Sequence, residues 1–163
     1  MKGVIYMCLK TEDLKRFTEE QAKNYFEMIK EEINNTHDNF IIISGKANSG
    51  KTTIANKLAE HFSYNENLRT LYFSLETSKS TLEEKIRCSE NLVIYDKPIN
   101  ISEMISKINE LKAEFVVIDY LQLIKFVKDN CLSKDKELEL IKYDLRNLSD
   151  KLNIKIVVTS YVS

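Results

Sequence analysis

Apolar positions along the chain fall into two alternating kinds of pattern. Over residues 11–34 they recur at three- and four-residue steps, through Leu14, Phe17, Gln21, Tyr25, Met28, Ile29 and Ile33. That spacing predicts an amphipathic helix. Thr11 is placed to cap it, and Glu12 and Asp13 suit the positive end of its dipole. The polar run Asn34-Asn35-Thr36-His37-Asp38-Asn39 then breaks the pattern and reads as a loop. Residues 1–10 are partly apolar but too short for a secretory signal, and lack its cleavage site.

From Phe40 the chain alternates short apolar runs with helical stretches. Phe40-Ile41-Ile42-Ile43 is wholly apolar, as a strand buried on both faces must be. Residues 51–62 form a helix with Ile54, Ala55, Leu58, Ala59 and Phe62 on one face. Residues 70–74 and 91–95 are the second and third strands, separated by a capping box that starts at Ser80 and opens a helix to about Cys88. Ser102 caps a helix bearing Ile105, Ile108 and Leu111. Residues 115–119 are the fourth strand, residues 133–152 a long helix striped by Leu138, Ile141, Leu145, Leu148 and Leu152, and residues 154–160 the fifth strand. About five apolar strands separated by helices predict an α/β fold, a mostly parallel sheet with helices on both faces, preceded by the N-terminal helix. The expected division is 1–38, helix and linker, and 39–163, the sheet-bearing unit. Ligands of such sheets bind beyond the carboxyl ends of the strands. Chemistry is therefore sought just after residues 44, 74, 119 and 160.

The first of these places carries the clearest motif. Gly45-Lys46-Ala47-Asn48-Ser49-Gly50-Lys51-Thr52 fits G-x-x-x-x-G-K-[ST] at every fixed position, and it lies between a predicted strand and a predicted helix. The pattern describes a P-loop. Its backbone N–H groups and the helix N-terminus cradle phosphates. Lys51 is expected to reach the β- and γ-phosphates, and Thr52 to ligate Mg²⁺, with Thr53 on the α-phosphate side. The ligands implied are ATP and Mg²⁺. Phe115-Val116-Val117-Ile118-Asp119 is an apolar strand ending in an acid, the Walker B pattern, which places Asp119 to hold the metal. Acids are common at turns, so Asp119 gains its meaning from the P-loop upstream. Glu76, just after the second strand, is a candidate to polarise an attacking water, although a solvated loop glutamate looks the same in sequence.

Composition changes this picture little. Charged residues are 30%, with a formal net charge of −1, so the overall balance demands no nucleic-acid partner. Three widely spaced cysteines, Cys8, Cys88 and Cys131, suggest neither a disulfide framework nor a metal site, which favours a cytoplasmic setting. No apolar run approaches the roughly 18 residues that span a membrane.

The segments GKANSGKT, LYFSLE, VVIDYLQLI and IKYDLRNLSDKLNIKIVVTS, taken together, resemble the C-terminal ATPase domain of DnaB-type replicative DNA helicases, over about residues 39–163. The resemblance implies a RecA-like P-loop fold with strands, numbered as above, in the order 3-2-4-5-1. It makes Glu76 the catalytic base and Asp119 the Mg²⁺-linked acid. It implies a role in DNA replication, single-stranded DNA as a partner, and a homo-oligomer or a helicase partner. Lys125, Lys128, Lys134 and Lys136 become candidates for DNA contact, although such charges equally suit a solvated loop. The helix over 11–34 resembles the linker helix that docks on an adjacent subunit, and packing on its own domain is an equal alternative.

This sequence also departs from the pattern. Where the family has a glutamine that senses the γ-phosphate, Ser160 is followed by Tyr161. A phenol donates one hydrogen bond and lacks the reach of a carboxamide. Residues 1–163 do not include the family's later strands, its DNA-binding loop or the arginine that acts on a neighbour's nucleotide. Slow hydrolysis is therefore expected. The alternatives are a non-motor nucleotide-binding module and a small P-loop kinase. The latter is disfavoured because the four arginines, Arg16, Arg69, Arg87 and Arg146, form no lid cluster.

Overall fold

The computed structural model describes residues 4–8, 18–126 and 131–162. Six strands form a single sheet: β1 (Val4–Cys8), β2 (Phe40–Gly45), β3 (Thr70–Ser74), β4 (Leu92–Tyr95), β5 (Phe115–Asp119) and β6 (Lys155–Tyr161). Their order is β1-β2-β6-β5-β3-β4, and every pairing is parallel. The helices are α1 (Glu19–Asn35), α2 (Lys51–Glu60), α3 (Lys79–Glu83), α4 (Ile101–Glu110) and α5 (Lys134–Leu152).

The apolar runs make strands rather than helices because both faces of the sheet are covered. In β2, Phe40 and Ile42 join one buried cluster with Met104 and Ile108 of α4 and Ile141 and Leu145 of α5. Ile41 and Ile43 point the other way, into a cluster with Ile29 and Ile33 of α1 and Ile54 and Leu58 of α2. Successive side chains of a strand alternate between faces, so a strand covered twice must be apolar throughout. The five strands expected from the sequence are present in the expected order.

The sixth strand was not foreseen. Residues 4–8 pair with β2 from Val4↔Phe40 to Cys8↔Ser44. The run Val4-Ile5-Tyr6-Met7-Cys8 is as apolar as the inner strands, although at the sheet edge Tyr6 is 66% exposed. Helix α1 begins at Glu19, with Thr18 and Gln21 forming a capping box. The expected cap Thr11 and the positions Leu14 and Phe17 lie outside the described residues. Within α1 the buried residues are Ala22, Ile29 and Ile33, while Met28 is half exposed, so the inward stripe is rotated from the expected one.

Two other helix starts differ from expectation. Helix α3 is capped by Ser78, not Ser80, and ends at Glu83 rather than near Cys88. Helix α4 is capped by Asn100, not Ser102. Asn100 Oδ1 accepts from Glu103 N at 2.9 Å, and the Glu103 carboxylate accepts from Asn100 N. Starting there puts Ile101 and Met104 in the core and leaves Leu111 exposed at the far end. For α4 the local pattern itself favours Asn100, since Asn100 and Glu103 have the capping-box spacing and Ser102 has Ile105 at the corresponding position.

Asn100→Ala is expected to lower unfolding free energy by about 0.5–2 kcal/mol, and Ser102→Ala to stay within about 0.5 kcal/mol of wild type. Urea denaturation of the two variants measures both.

Candidate functional site

The P-loop connects the carboxyl end of β2 to the first turn of α2. Gly50 adopts φ 86°, a left-handed conformation that costs a residue with a Cβ, and it is the N-cap of α2. Gly45 has no such role: it is the last residue of β2, and its carbonyl accepts hydrogen bonds from Val162 N and Lys51 Nζ. Among the described residues, α1, α3, α4 and α5 each start with a side-chain cap, from Thr18, Ser78, Asn100 and Ser133 respectively. Helix α2 has no side-chain cap and no acid in its first turn. Its free N–H groups and dipole face the cleft uncompensated, an arrangement suited to an anion.

Lys51 projects from this turn and is 5% exposed. Its ammonium donates to Gly45 O at 2.8 Å, to Lys46 O and to Ser49 Oγ. Burial lowers its pKa below the usual lysine value, against the opposing pull of the Asp119 and Glu76 carboxylates. The ring of Tyr161 lies over the same ammonium, 4.2 Å from centroid to Nζ.

Asp119 ends β5 and is 1% exposed. Thr52 Oγ1 donates to its Oδ2 at 2.8 Å, and Thr159 Oγ1 donates to its Oδ1. The Asp119 carbonyl accepts from Leu75 N at 2.9 Å, and Ser74 Oγ donates to Thr77 O at 2.6 Å. These bonds shape the turn that carries Glu76. Thr159 was missed from sequence because it reads as one more β-branched residue of a buried strand. Its pairing with Asp119 depends on β5 and β6 being neighbours.

One cavity of about 330 Å³ is lined by Asn48, Ser49, Gly50, Lys51, Thr52, Thr53, Glu76, Asp119, Tyr120 and Tyr161. Residues from four strand ends thus meet around one space, as the carboxyl-end rule for parallel sheets requires. Lys46 and Ala47, exposed at the loop tip, are not part of its wall, and neither is Ser160. The Ser160 hydroxyl instead accepts from Gln122 Nε2 at 3.0 Å. Gln122 is a second residue that sequence reading passed over. Tyr120 packs edge-on against Tyr161, with centroids 4.6 Å apart. The phenols of Tyr120 and Tyr161 are both raised in pKa, first by burial and then by the Glu76 carboxylate.

The candidate DNA-contact lysines lie outside this cavity. Lys125 is exposed after the short 3₁₀ turn Leu121–Leu123, and Lys134 and Lys136 are exposed on the first turn of α5, Lys134 beside Glu137 at 3.7 Å. Lys128 lies outside the described residues.

A family model described as the DnaB-like helicase C terminal domain matches residues 24–97 and 85–163. The chain belongs to this family. Among curated DnaB-like relatives, the replicative DNA helicase DnaB of Synechocystis sp. is 26% identical, over 76% of this chain and 18% of that protein. The DnaB of Geobacillus stearothermophilus is also 26% identical, over 76% of this chain and 35% of that protein. The chain therefore spans about a fifth to a third of the length of these relatives. Of solved structures, a DnaB-like replicative helicase described with its interactions with primase superposes with a TM-score of 0.66 at 22% identity, covering 85% of this chain and 48% of that one. A KaiC-like protein of Pyrococcus horikoshii superposes at 0.58 and 16% identity, covering 74% and 60%. At these identities the superpositions speak for the RecA-like fold alone.

Replacing Thr159 by Val leaves a buried carboxylate oxygen without its donor. The expected cost is about 1–3 kcal/mol of stability, read as a lower urea midpoint. Thr159→Ser, which keeps the hydroxyl, is expected to recover most of it.

Proposed function

We propose that this DnaB-like domain binds ATP with Mg²⁺ in the cleft between the P-loop and the ends of β3, β5 and β6, and hydrolyses it slowly. The observation that carries the reading is the uncapped, acid-free first turn of α2, with Lys51 at its start and Thr52 bonded to Asp119. A set of hydroxyl and carboxylate oxygens suits a hard cation that takes few protein ligands and keeps its waters. In this reading Thr52 and Asp119 would hold the Mg²⁺, with Asp119 orienting the Thr52 hydroxyl through their hydrogen bond. The ion, when bound, neutralises charge on the transferring phosphoryl group. The P-loop residues 45–52 and Thr53 wrap the phosphates. Glu76, exposed across the cavity from Lys51, accepts the proton of the attacking water.

Residues 39–163 would then form the nucleotide-binding unit, with residues 1–38 as its N-terminal part. Membership of the family supports a cytoplasmic role in DNA replication, with single-stranded DNA at the surface carrying Lys125, Lys134 and Lys136. It also supports self-assembly or docking on a helicase partner. One observation favours a second reading, a nucleotide-binding module without motor activity. Tyr161, rather than a carboxamide, stands beside Lys51.

Titration of a fluorescent ATP analogue in the presence of Mg²⁺ tests the main reading. Lys51→Ala is expected to weaken binding about 10- to 100-fold, the worth of charge-assisted hydrogen bonds. Wild type that binds no nucleotide refutes it. Glu76→Gln is expected to leave binding intact and to cut phosphate release by about 10²-fold or more. Turnover that survives this substitution removes Glu76 from its assigned role. A wild type that binds ATP and releases no phosphate favours the non-motor module.

A further inference from the structure

Tyr161 ends β6 in register with Gly45, at the entrance to the P-loop. The three protons of the Lys51 ammonium point at Gly45 O, Lys46 O and Ser49 Oγ, and an ammonium has no further donor. The Tyr161 ring covers a flank of the ammonium that these acceptors leave, and its π-face attracts the cation. Glu76 and Asp119 share the cavity wall with the ring. After burial, the Glu76 carboxylate is the first charge that raises the Tyr161 phenol. The ring therefore lies in the same cavity as Glu76, the carboxylate assigned above to catalysis on a terminal phosphate.

The ring is held there by its backbone. The pairing of β5 with β6 stops at Ile118↔Val158, because β5 ends at Asp119. Beyond it, the Gln122 side chain replaces the missing strand. Gln122 Nε2 donates to Tyr161 O at 3.2 Å, and Gln122 Oε1 accepts from Tyr161 N at 3.3 Å. A carboxamide carries the same donor and acceptor pair as a peptide group, so it supplies one strand-like pair at Tyr161. The same Nε2 also donates to Ser160 Oγ.

We propose that Tyr161, positioned by Gln122, determines phosphate-chain specificity: its ring occupies the flank of Lys51 that a third phosphate needs, and so biases the site toward nucleoside diphosphate and against triphosphate. The proposal rests on the nucleotide-binding reading above. A diphosphate meets Lys51 from the loop side, in place of the loop acceptors. A triphosphate must also move the ring off the cation. A cation–π contact of this kind shifts relative affinity by about 2- to 30-fold.

The test uses the full chain with Mg²⁺ and fluorescently labelled ADP and a non-hydrolysable ATP analogue bearing the same label. Wild type, Tyr161→Phe, Tyr161→Ala and Gln122→Ala are titrated with both. The triphosphate-to-diphosphate affinity ratio is expected to rise about 2- to 30-fold in Tyr161→Ala. It is expected to rise in the same direction in Gln122→Ala and to stay at the wild-type value in Tyr161→Phe, which keeps the ring. Tyr161→Leu, which keeps bulk and removes the π-face, carries the test if the alanine variant does not fold. An unchanged ratio in a folded variant that binds both nucleotides overturns this proposal alone. A phenylalanine variant that behaves like alanine also overturns it, by assigning the effect to the hydroxyl. Failure of wild type to bind either nucleotide overturns the ATP-binding reading, and this proposal with it.

Discussion

A carboxylate buried at the end of a buried strand needs hydrogen-bond donors, and the architecture of the cleft follows from how Asp119 obtains them. One oxygen is satisfied by Thr52 on α2 and the other by Thr159 on β6. The backbone carbonyl of the same residue receives Leu75 N from the segment after β3. Three chain segments far apart in sequence are thus fixed to one residue, two through its side chain and one through its backbone. An unpaired charge in that position is strongly destabilising, which couples the integrity of the sheet ends to the chemistry they present.

The same economy of contacts organises the cationic side. Lys51 is buried in the first turn of a helix whose dipole already places positive potential there. It is retained by three loop acceptors and one aromatic face, all within the P-loop and β6. The lowered lysine pKa and the raised tyrosine pKa values on either side of the cavity have one origin, desolvation, with the Asp119 and Glu76 carboxylates adding to it at the tyrosines and opposing it at Lys51. An anion entering the cleft would therefore replace internal contacts rather than bulk water.

Family membership and geometry bear on different parts of the account. The match over residues 24–163 establishes a DnaB-like domain. It does not explain why Tyr161 stands where the family pattern has a glutamine. Past the end of β5, β2 pairs with β6 on one side as far as Tyr161, and Gln122 supplies a substitute peptide group on the other. That local device makes Tyr161 a fixed wall of the cavity.

Much of this was legible in the chain itself. The P-loop is a contiguous octapeptide whose chemistry needs no distant partner, and the inner strands are apolar on both faces, so local pattern sufficed for both. Asp119 and Glu76 were nameable because strand ends in parallel sheets converge on the ligand. The tertiary structure decided the rest. The edge strand β1 escaped notice because a five-residue apolar run at the chain start does not by itself announce a strand, and its pairing with β2 is a tertiary contact. Asn100 caps α4 through a capping box with Glu103 that the local sequence already offered, whereas Ser78 caps α3 where Ser80 has the capping-box spacing. Thr159 and Gln122 read as ordinary residues until β5 and β6 lay side by side. A buried hydrogen bond between residues 40 apart is a property of the packed sheet, and no spacing along the chain announces it.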